Sequence, residues 1–502
     1  MAKVGGLADV VFALTKSLRN LGHRVTVALP RYPAFEQAGV LSARRLTPLP
    51  LPPINVPGLP AELAWANDKP LEAVLYDARL GSGVDVIFFD VVTPAAYGVT
   101  TLFGDVELRS TRNIYALADG LHGAFRFSVF CRAVVEYLKV RSRPNGLRAG
   151  EAAYDVVHAH DWPTAMVPYL TRESEELLGV RTALTIHDAG AQGQFAGAAA
   201  KTVLGLFGLG TDHFTMDRLE FYGGVNLLKG GIARADLVTT VSSTYATELL
   251  SEGGGYRLAG VLAARRAPIV GIRNGVDYSV WNPATDPALV ARYDADEASN
   301  RGRSKTTLLA DLGLPLDPEI PLFVSLGRVT EPKGADILAA AVRRLAKQDL
   351  TLVVAGQGDA GIEAALSATA ADHSDRVRYL GFADEKVAHR LMAAADFVLM
   401  PSRREPCGLV QMHAQRYGAV PVVTRTGGLV DTVVDCDADL ETGTGIAFGG
   451  PSVEELASAV GRAVSAFRHP RFPSLRRRIM RLDVGWERPA RLYAQAYTKL
   501  LA

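Results

Sequence analysis

With 502 residues, 48% of them hydrophobic and 21% charged, the chain is too long for one ordinary core and too apolar to be disordered, so two or three folded domains are expected. Lys+Arg number 54 against 53 Asp+Glu, which leaves no basic excess for nucleic acid; Cys131, Cys407 and Cys436 lack the paired spacing of a disulfide framework or a zinc site. No apolar run reaches about 18 residues and no signal-peptide pattern opens the chain, so a cytoplasmic protein without a membrane span is expected.

In chain order, Leu7, Val10, Val11, Leu14, Leu18 and Leu21 recur at helical spacing, with Gly22 as a stop. Lys3, Gly5 and Gly6 then sit just ahead of a helix N-terminus, where amides can approach a phosphate closely because glycine has no side chain to obstruct it. Residues 25–29, 75–76 and 84–89 read as strands, the proline-rich stretch 47–60 as a loop, and 127–138 as a helix following Asp119. Residues 154–157 form a strand that runs into His158-Ala159-His160-Asp161-Trp162, two histidines with no third ligand at metal spacing nearby. The strand 183–186 ends in His187-Asp188, and Ser242 is placed to cap a helix after the strand at 237–241. The glycine- and arginine-rich stretch 252–268 is the best linker candidate, and Asn274-Gly275 reads as a turn.

Beyond it the alternation resumes: strands at 322–326, 352–355, 377–380, 397–400 and 420–423, with helices between them. Alternation on both sides of residue 260 argues for an α/β protein with two doubly wound, Rossmann-like domains. In such sheets ligands sit beyond the carboxyl ends of the strands. Arg328 and Lys333 lie on one such loop and could hold a pyrophosphate, arginine bidentately and lysine as a point charge. On another, Pro406 biases Glu405 toward an extended backbone with its carboxylate pointing off the loop. The amides of Cys407, Gly408 and Leu409 would crown a helix N-terminus, and Thr426-Gly427-Gly428 repeats the arrangement one strand away. Taken singly, each fragment also has a plain reading as a turn, a solvated loop or a structural histidine.

Together they resemble one family. Residues 397–434 are similar to the donor-sugar loop of bacterial glycogen synthases and plant starch synthases (glycosyltransferase family 5), with its P-S-x-x-E-P-C-G-L-x-Q, R-Y-G-x-x-P and R-x-T-G-G-L-x-D-T-V elements. The family's K-x-G-G-L-x-D-V, H-A-H-D-W, G-I-x-N-G-x-D and G-R-x-x-x-x-K-G strings are present as well. The resemblance implies the GT-B architecture, two domains facing across a cleft with a C-terminal helix packing back on the first. The expected boundaries are 1–262, 263–485 and 486–502.

It also implies transfer of glucose from ADP-glucose to the non-reducing end of an α-1,4-glucan, with retention and without a metal or other cofactor. Glu405, His160, Arg328, Lys333 and Asp119 become the expected catalytic group. Asp119 matches at a longer spacing than the family's. Lys3, Gly5, Gly6, Asn274, Cys407, Gly408, Leu409, Thr426, Gly427 and Gly428 become the expected donor-binding group. Another retaining GT-B transferase using UDP-glucose or a different acceptor, and a catalytically impaired glucan-binding paralogue, stay open. Three departures bear on the second: Asp188 and Ala191 stand where the family has Asn and Tyr, and Val410 where it has Thr, Ser or Asn. A fourth is that the family carries a strand ahead of the lysine at position 3. Either the sequence starts late, or neighbouring strands are left with unpaired backbone groups.

Overall fold

The computed structural model describes residues 6–61, 63–68, 70–91, 102, 120–143 and 153–502. They form two compact units, one of the described residues within 1–241, 246–272 and 487–502 and one of 242–245 and 273–486. The chain thus passes between units at Ile272/Arg273 and Trp486/Glu487, where the sequence reading placed 262/263 and 485/486. The stretch 252–268 is not a linker but part of the first unit. Leu258 and Leu262 are buried there, and Arg265 donates to the carbonyls of Ile232 and Ala235.

The strands of the first unit are β1 (Thr26–Pro30), β2 (Ala43–Arg44), β3 (Leu49–Pro50), β4 (Glu72–Arg79), β5 (Asp85–Val91), β6 (Val156–His160), β7 (Arg181–Ile186), β8 (Gln194–Phe195), β9 (Glu220–Phe221), β10 (Gly224–Asn226), β11 (Leu237–Thr240) and β12 (Val270–Gly271). They build a mixed sheet in the order β1-β5-β4-β2 with β3 on β4, an all-parallel sheet in the order β12-β11-β7-β6, and a small antiparallel sheet, β8-β10-β9. Among the described residues β1 pairs only with β5, and β6 only with β7, so each is an edge. The two edges are only partly buried. Among the described residues the two larger sheets of this unit share no strand pair, and the parallel strands alternating with helices are those of the Rossmann-like domain read from the sequence.

Helix Gly6–Asn20 buries Val10, Leu14 and Leu18 of the stripe read from the sequence, together with Ala13, while Leu7 and Val11 are half-buried and Leu21 lies exposed just past its end. The C-terminal helix Glu487–Leu501 packs against it with Tyr493 inside. Helix Gly120–Ser142 is buried around most of its circumference, which lets it start well before residue 127.

The second unit is one six-stranded parallel sheet of β13 (Leu322–Leu326), β14 (Thr351–Ala355), β15 (Val377–Tyr379), β16 (Phe397–Met400), β17 (Val420–Thr424) and β18 (Ile446–Phe448). Its order is β15-β14-β13-β16-β17-β18, that is 3-2-1-4-5-6 within the unit. The chain winds outward from β13 in one direction, then returns to the middle at β16 and winds in the other. Strands β14, β16 and β17 are buried at every residue, as continuous apolar runs of a covered parallel sheet should be. At the base of β16 the Asp396 carboxylate accepts from Lys305 at 2.8 Å, Arg476 at 2.7 Å and the Leu322 amide at 2.9 Å. Burial opposes its ionisation, but Arg476, Lys305 and Arg301 hold the carboxyl below its usual range. That compensated charge ties two helices to the adjoining central strands.

Candidate active site

The reversal of strand order between β13 and β16 leaves a gap at their carboxyl ends, the place where doubly wound sheets hold ligands. The loop after β13 carries Arg328 and Lys333, and the loop after β16 carries Glu405. Lys333 Nζ reaches Glu405 Oε1 at 2.6 Å, and the Ser402 hydroxyl donates to Oε2 at 3.3 Å. Glu405 is 6% exposed, so its carboxylate does not project off the loop as expected from Pro406. It turns inward because a cation from the neighbouring loop compensates its charge, and both of its oxygens are engaged. Arg328 is exposed on its loop.

The two loops are locked together by more than that pair. Arg403 and Arg404 donate their amides to the Pro332 carbonyl, and Arg403 grips Asp336 bidentately at 2.6 and 2.7 Å. Gly334 has φ 67°, and a Cβ there would fall 1.9 Å from the Pro401 oxygen, so only glycine allows this approach.

The helix expected at the donor loop starts at Val410, with Leu409 as its N-cap, and stops at Gly418 in the left-handed region. Gln411 binds the Cys407 and Gly408 carbonyls through Nε2 and fixes the turn before it. Burial pushes the Cys407 thiol up to about 12, although the Asn274 amide donates to it, so this sulfur is packing rather than a nucleophile. The Asn274 side-chain oxygen is buried with no hydrogen-bond partner, an orphan acceptor that marks the place for a donor from a bound molecule. Thr426 stands at the N-cap position of the six-residue helix Gly427–Thr432, but its hydroxyl donates to the Arg403 carbonyl at 3.4 Å instead of capping it. The Gly428 amide is spent on the Glu405 carbonyl at 2.9 Å, and a Cβ on Gly428 would lie 2.2 Å from the Cys407 oxygen. Gly428 therefore docks one loop on another and does not offer its amide to a ligand, which corrects the sequence expectation.

In the first unit His160 ends β6 and His187 follows β7. Parallel pairing sets His160 opposite Thr185, which brings the two rings together with His160 Nδ1 3.0 Å from His187 Nε2. His158 bonds Tyr497 through Nδ1 and Thr185 through Nε2, each at 2.7 Å, so the C-terminal helix is fastened to the strand that carries His160. Burial, then the neighbouring imidazoles, lower all three histidines, His187 to about 3. At neutral pH the cluster is uncharged and suited to hydrogen bonding with hydroxyls. Asp161 has φ 55° and accepts the His187 amide at 2.7 Å; burial raises its carboxyl to about 7. Asp188 accepts the Gly190 amide, a turn-forming role that an asparagine would fill as well.

The structure thus brings Lys333 and Glu405 together; Cys407, Gly408 and Leu409 follow Glu405 on the loop after β16, and Thr426 and Gly427 stand at the start of the helix after β17. Gly6 opens the first helix and is exposed, whereas Lys3, Gly5 and Asp119 lie outside the described residues. Sequence reasoning gave His187 no role. Its signal was a second histidine directly after a strand, one strand over from His160. Among the described residues no cluster of three His, Cys, Asp or Glu could hold a metal ion, and no helix is long and apolar enough to cross a membrane.

Comparison with known proteins bears on both units. Residues 1–264 match a family model described as the starch synthase catalytic domain, and residues 320–466 one described as glycosyl transferases group 1. A glycogen synthase of Geobacillus thermodenitrificans is 37% identical over 511 residues, covering 100% of this chain and 95% of the relative. One from Anaeromyxobacter is 38% identical over 508 residues, covering 100% of this chain and 97% of its own. The catalytic domain of starch synthase IV from Arabidopsis thaliana, bound to ADP and acarbose, superposes with a TM-score of 0.84 at 29% identity, over 99% of this chain and 96% of that one. Sucrose-phosphate synthase from Thermosynechococcus elongatus, at 18% identity and a TM-score of 0.58 over 99% of this chain and 94% of that one, shares the fold.

Proposed function

The chain belongs to the starch synthase family of glycosyltransferases and is similar over its whole length to bacterial glycogen synthases, and we propose that its donor is ADP-glucose and its acceptor the non-reducing end of an α-1,4-glucan. The observation that carries this reading is the Lys333–Glu405 pair, 2.6 Å long, at the switch point between β13 and β16. The related starch synthase IV holds ADP and acarbose, an adenine nucleotide and a glucan-like oligosaccharide, which supports the same pairing of substrates here.

In this reading the departing diphosphate gathers negative charge, and Arg328 and Lys333 stabilise it without a metal ion. Positive character develops at the anomeric carbon. Glu405, with one oxygen on Lys333 and the other on Ser402, stabilises that charge and orients the ring rather than attacking it. The incoming hydroxyl approaches from the side the diphosphate leaves and gives its proton to a leaving phosphate oxygen, so configuration is retained. His160, neutral, holds a sugar hydroxyl through the ring nitrogen that His187 does not use. The Asn274 oxygen accepts from the donor.

Incorporation of labelled glucose into glycogen from ADP-glucose and, side by side, from UDP-glucose tests this. Preferential use of ADP-glucose supports the reading, and use of UDP-glucose alone overturns the donor. Retention on glycogen with no transfer from either donor would favour the impaired paralogue.

A further inference from the structure

Outside the site just described, three bulky residues among the described residues of the first unit are in the left-handed region, where L side chains are strained: Tyr222 at φ 49°, Tyr256 at φ 49° and Arg257 at φ 67°. They converge. The Arg257 guanidinium lies 5.1 Å from the centre of the Tyr222 ring, and Phe221 meets that ring edge-on at 4.8 Å. Yet Tyr222 is 73% exposed, at the tip of the β9–β10 hairpin, a turn that would ordinarily take asparagine or glycine.

The tip is braced from beneath. The buried Lys229 ammonium donates to the carbonyls of Met216 and Glu220, and the Glu220 carboxylate accepts the Gly223 amide at 2.8 Å. Buried Gln192 then joins the parts. Its Nε2 donates to Ala189 O at 2.8 Å and Tyr256 O at 3.1 Å, while its oxygen accepts from Asn226 at 2.6 Å. One side chain therefore couples the loop that follows His187, the Tyr256-Arg257 turn and the end of the hairpin.

An exposed aromatic ring with a guanidinium over one face and the other face open, both on strained backbone, suits a neutral ligand with flat apolar faces and a rim of hydroxyls. A glucose unit of a glucan chain has that form: its C–H face lies on the ring and its hydroxyls accept from the guanidinium. We propose that Tyr222 and Arg257, set by Tyr256, form a platform on the first unit that binds an α-glucan chain away from its reacting end. The inference rests on the glucan reading above and names where a longer acceptor is held.

The test is affinity electrophoresis in gels containing glycogen, with melting temperature measured on the same full-length samples. Tyr222→Asn and Arg257→Gly relieve the strained backbone, so each raises the melting temperature by roughly 1–3 °C. Each also weakens retention by about fivefold or more, corresponding to loss of one stacking or hydrogen-bonding contact. Tyr222→Phe keeps the ring and keeps retention. Transfer to maltotriose stays within about twofold of the native protein. Undiminished retention in Tyr222→Asn and Arg257→Gly, or loss of it in Tyr222→Phe, overturns the platform. A native protein that glycogen does not retard overturns the glucan reading and the platform together. Retardation without transfer from ADP-glucose overturns only the donor reading.

Discussion

His160 and His187 face each other nitrogen to nitrogen at 3.0 Å, so one of the two rings donates and the other accepts, and the tautomer of each fixes that of its partner. The remaining nitrogen of His160, which in the proposed function holds a sugar hydroxyl, is thereby kept in a single protonation state. His187→Asn removes this constraint without touching substrate. It is expected to lower kcat about 10- to 100-fold while the KM for ADP-glucose changes by less than about threefold, since orientation rather than binding is lost. Steady-state kinetics with ADP-glucose and glycogen read this out directly.

The same cluster sets a pH dependence of stability. His187, lowered to about 3 by burial and by His158, binds fewer protons folded than unfolded, so the stability it gives is complete above about 6.5 and lost as pH falls toward 3. His158 and His160 act in the same direction. Asp161, raised to about 7, opposes them by taking up a proton on folding between about 4 and 7. Three imidazoles outweigh one carboxyl, so the melting temperature should fall between pH 7 and pH 5. In His187→Asn the fall is smaller, because one of the groups that must charge on unfolding is gone, each being worth about 1.4 kcal/mol per pH unit in its window. An equal fall in both proteins would show that the cluster is not the source.

How much of this was legible in the sequence depended on burial. The strands of the second unit were read at 322–326, 352–355, 377–380, 397–400 and 420–423 because continuous apolar runs bounded by Gly, Pro and charges have few other fates. In the first unit β2, β3, β8, β9 and β12 have only two residues each, too short to carry a period. Helix Gly120–Ser142 is buried nearly all round, and an apolar face with no polar counterpart does not announce where it begins. Glu405 was placed on its loop, but its inward turn depends on Lys333, 72 positions away in sequence and delivered by a different strand. The pairing of His187 with His160 likewise follows from parallel register, not from either local string.

Lys333 and Glu405 also make a measurable coupling. Lys333→Ala leaves a carboxylate that is 6% exposed without its cation, and Glu405→Ala leaves the ammonium without its anion. Each single change should lower kcat/KM by roughly 10²–10³-fold and cost the second unit about 1–3 kcal/mol. The double variant should be little worse than either single one, because the interaction is lost only once. Additive losses in kcat/KM across the double-mutant cycle would show that the two residues act independently.

Gly334 is where the two loops are pressed closest. Alanine there combines φ 67° with a Cβ placed 1.9 Å from the Pro401 oxygen, a backbone atom that cannot rotate away. The loop after β16 has to move, and with it Glu405. Gly334→Ala is expected to destabilise by about 2 kcal/mol or more and to remove transfer activity even at temperatures where the protein is folded. Circular dichroism and the glycogen incorporation assay on one preparation separate the two effects, and a folded, active variant would refute the close approach.

Val410 is the first residue of the helix behind the donor loop and is partly exposed there. The family's Thr, Ser or Asn at this place offers a polar group to a phosphate, and valine offers none. Val410→Thr keeps the β-branched shape and adds one hydroxyl, so the fold is unaffected while a neutral-to-charged hydrogen bond becomes available. Such a bond is worth about 1.5 kcal/mol or somewhat less at a partly exposed position, which predicts a 3- to 10-fold lower Kd for ADP-glucose. Calorimetric titration of both proteins with ADP-glucose decides it: unchanged affinity would place residue 410 out of reach of the diphosphate and leave Arg328 and Lys333 as its only side-chain partners in this reading.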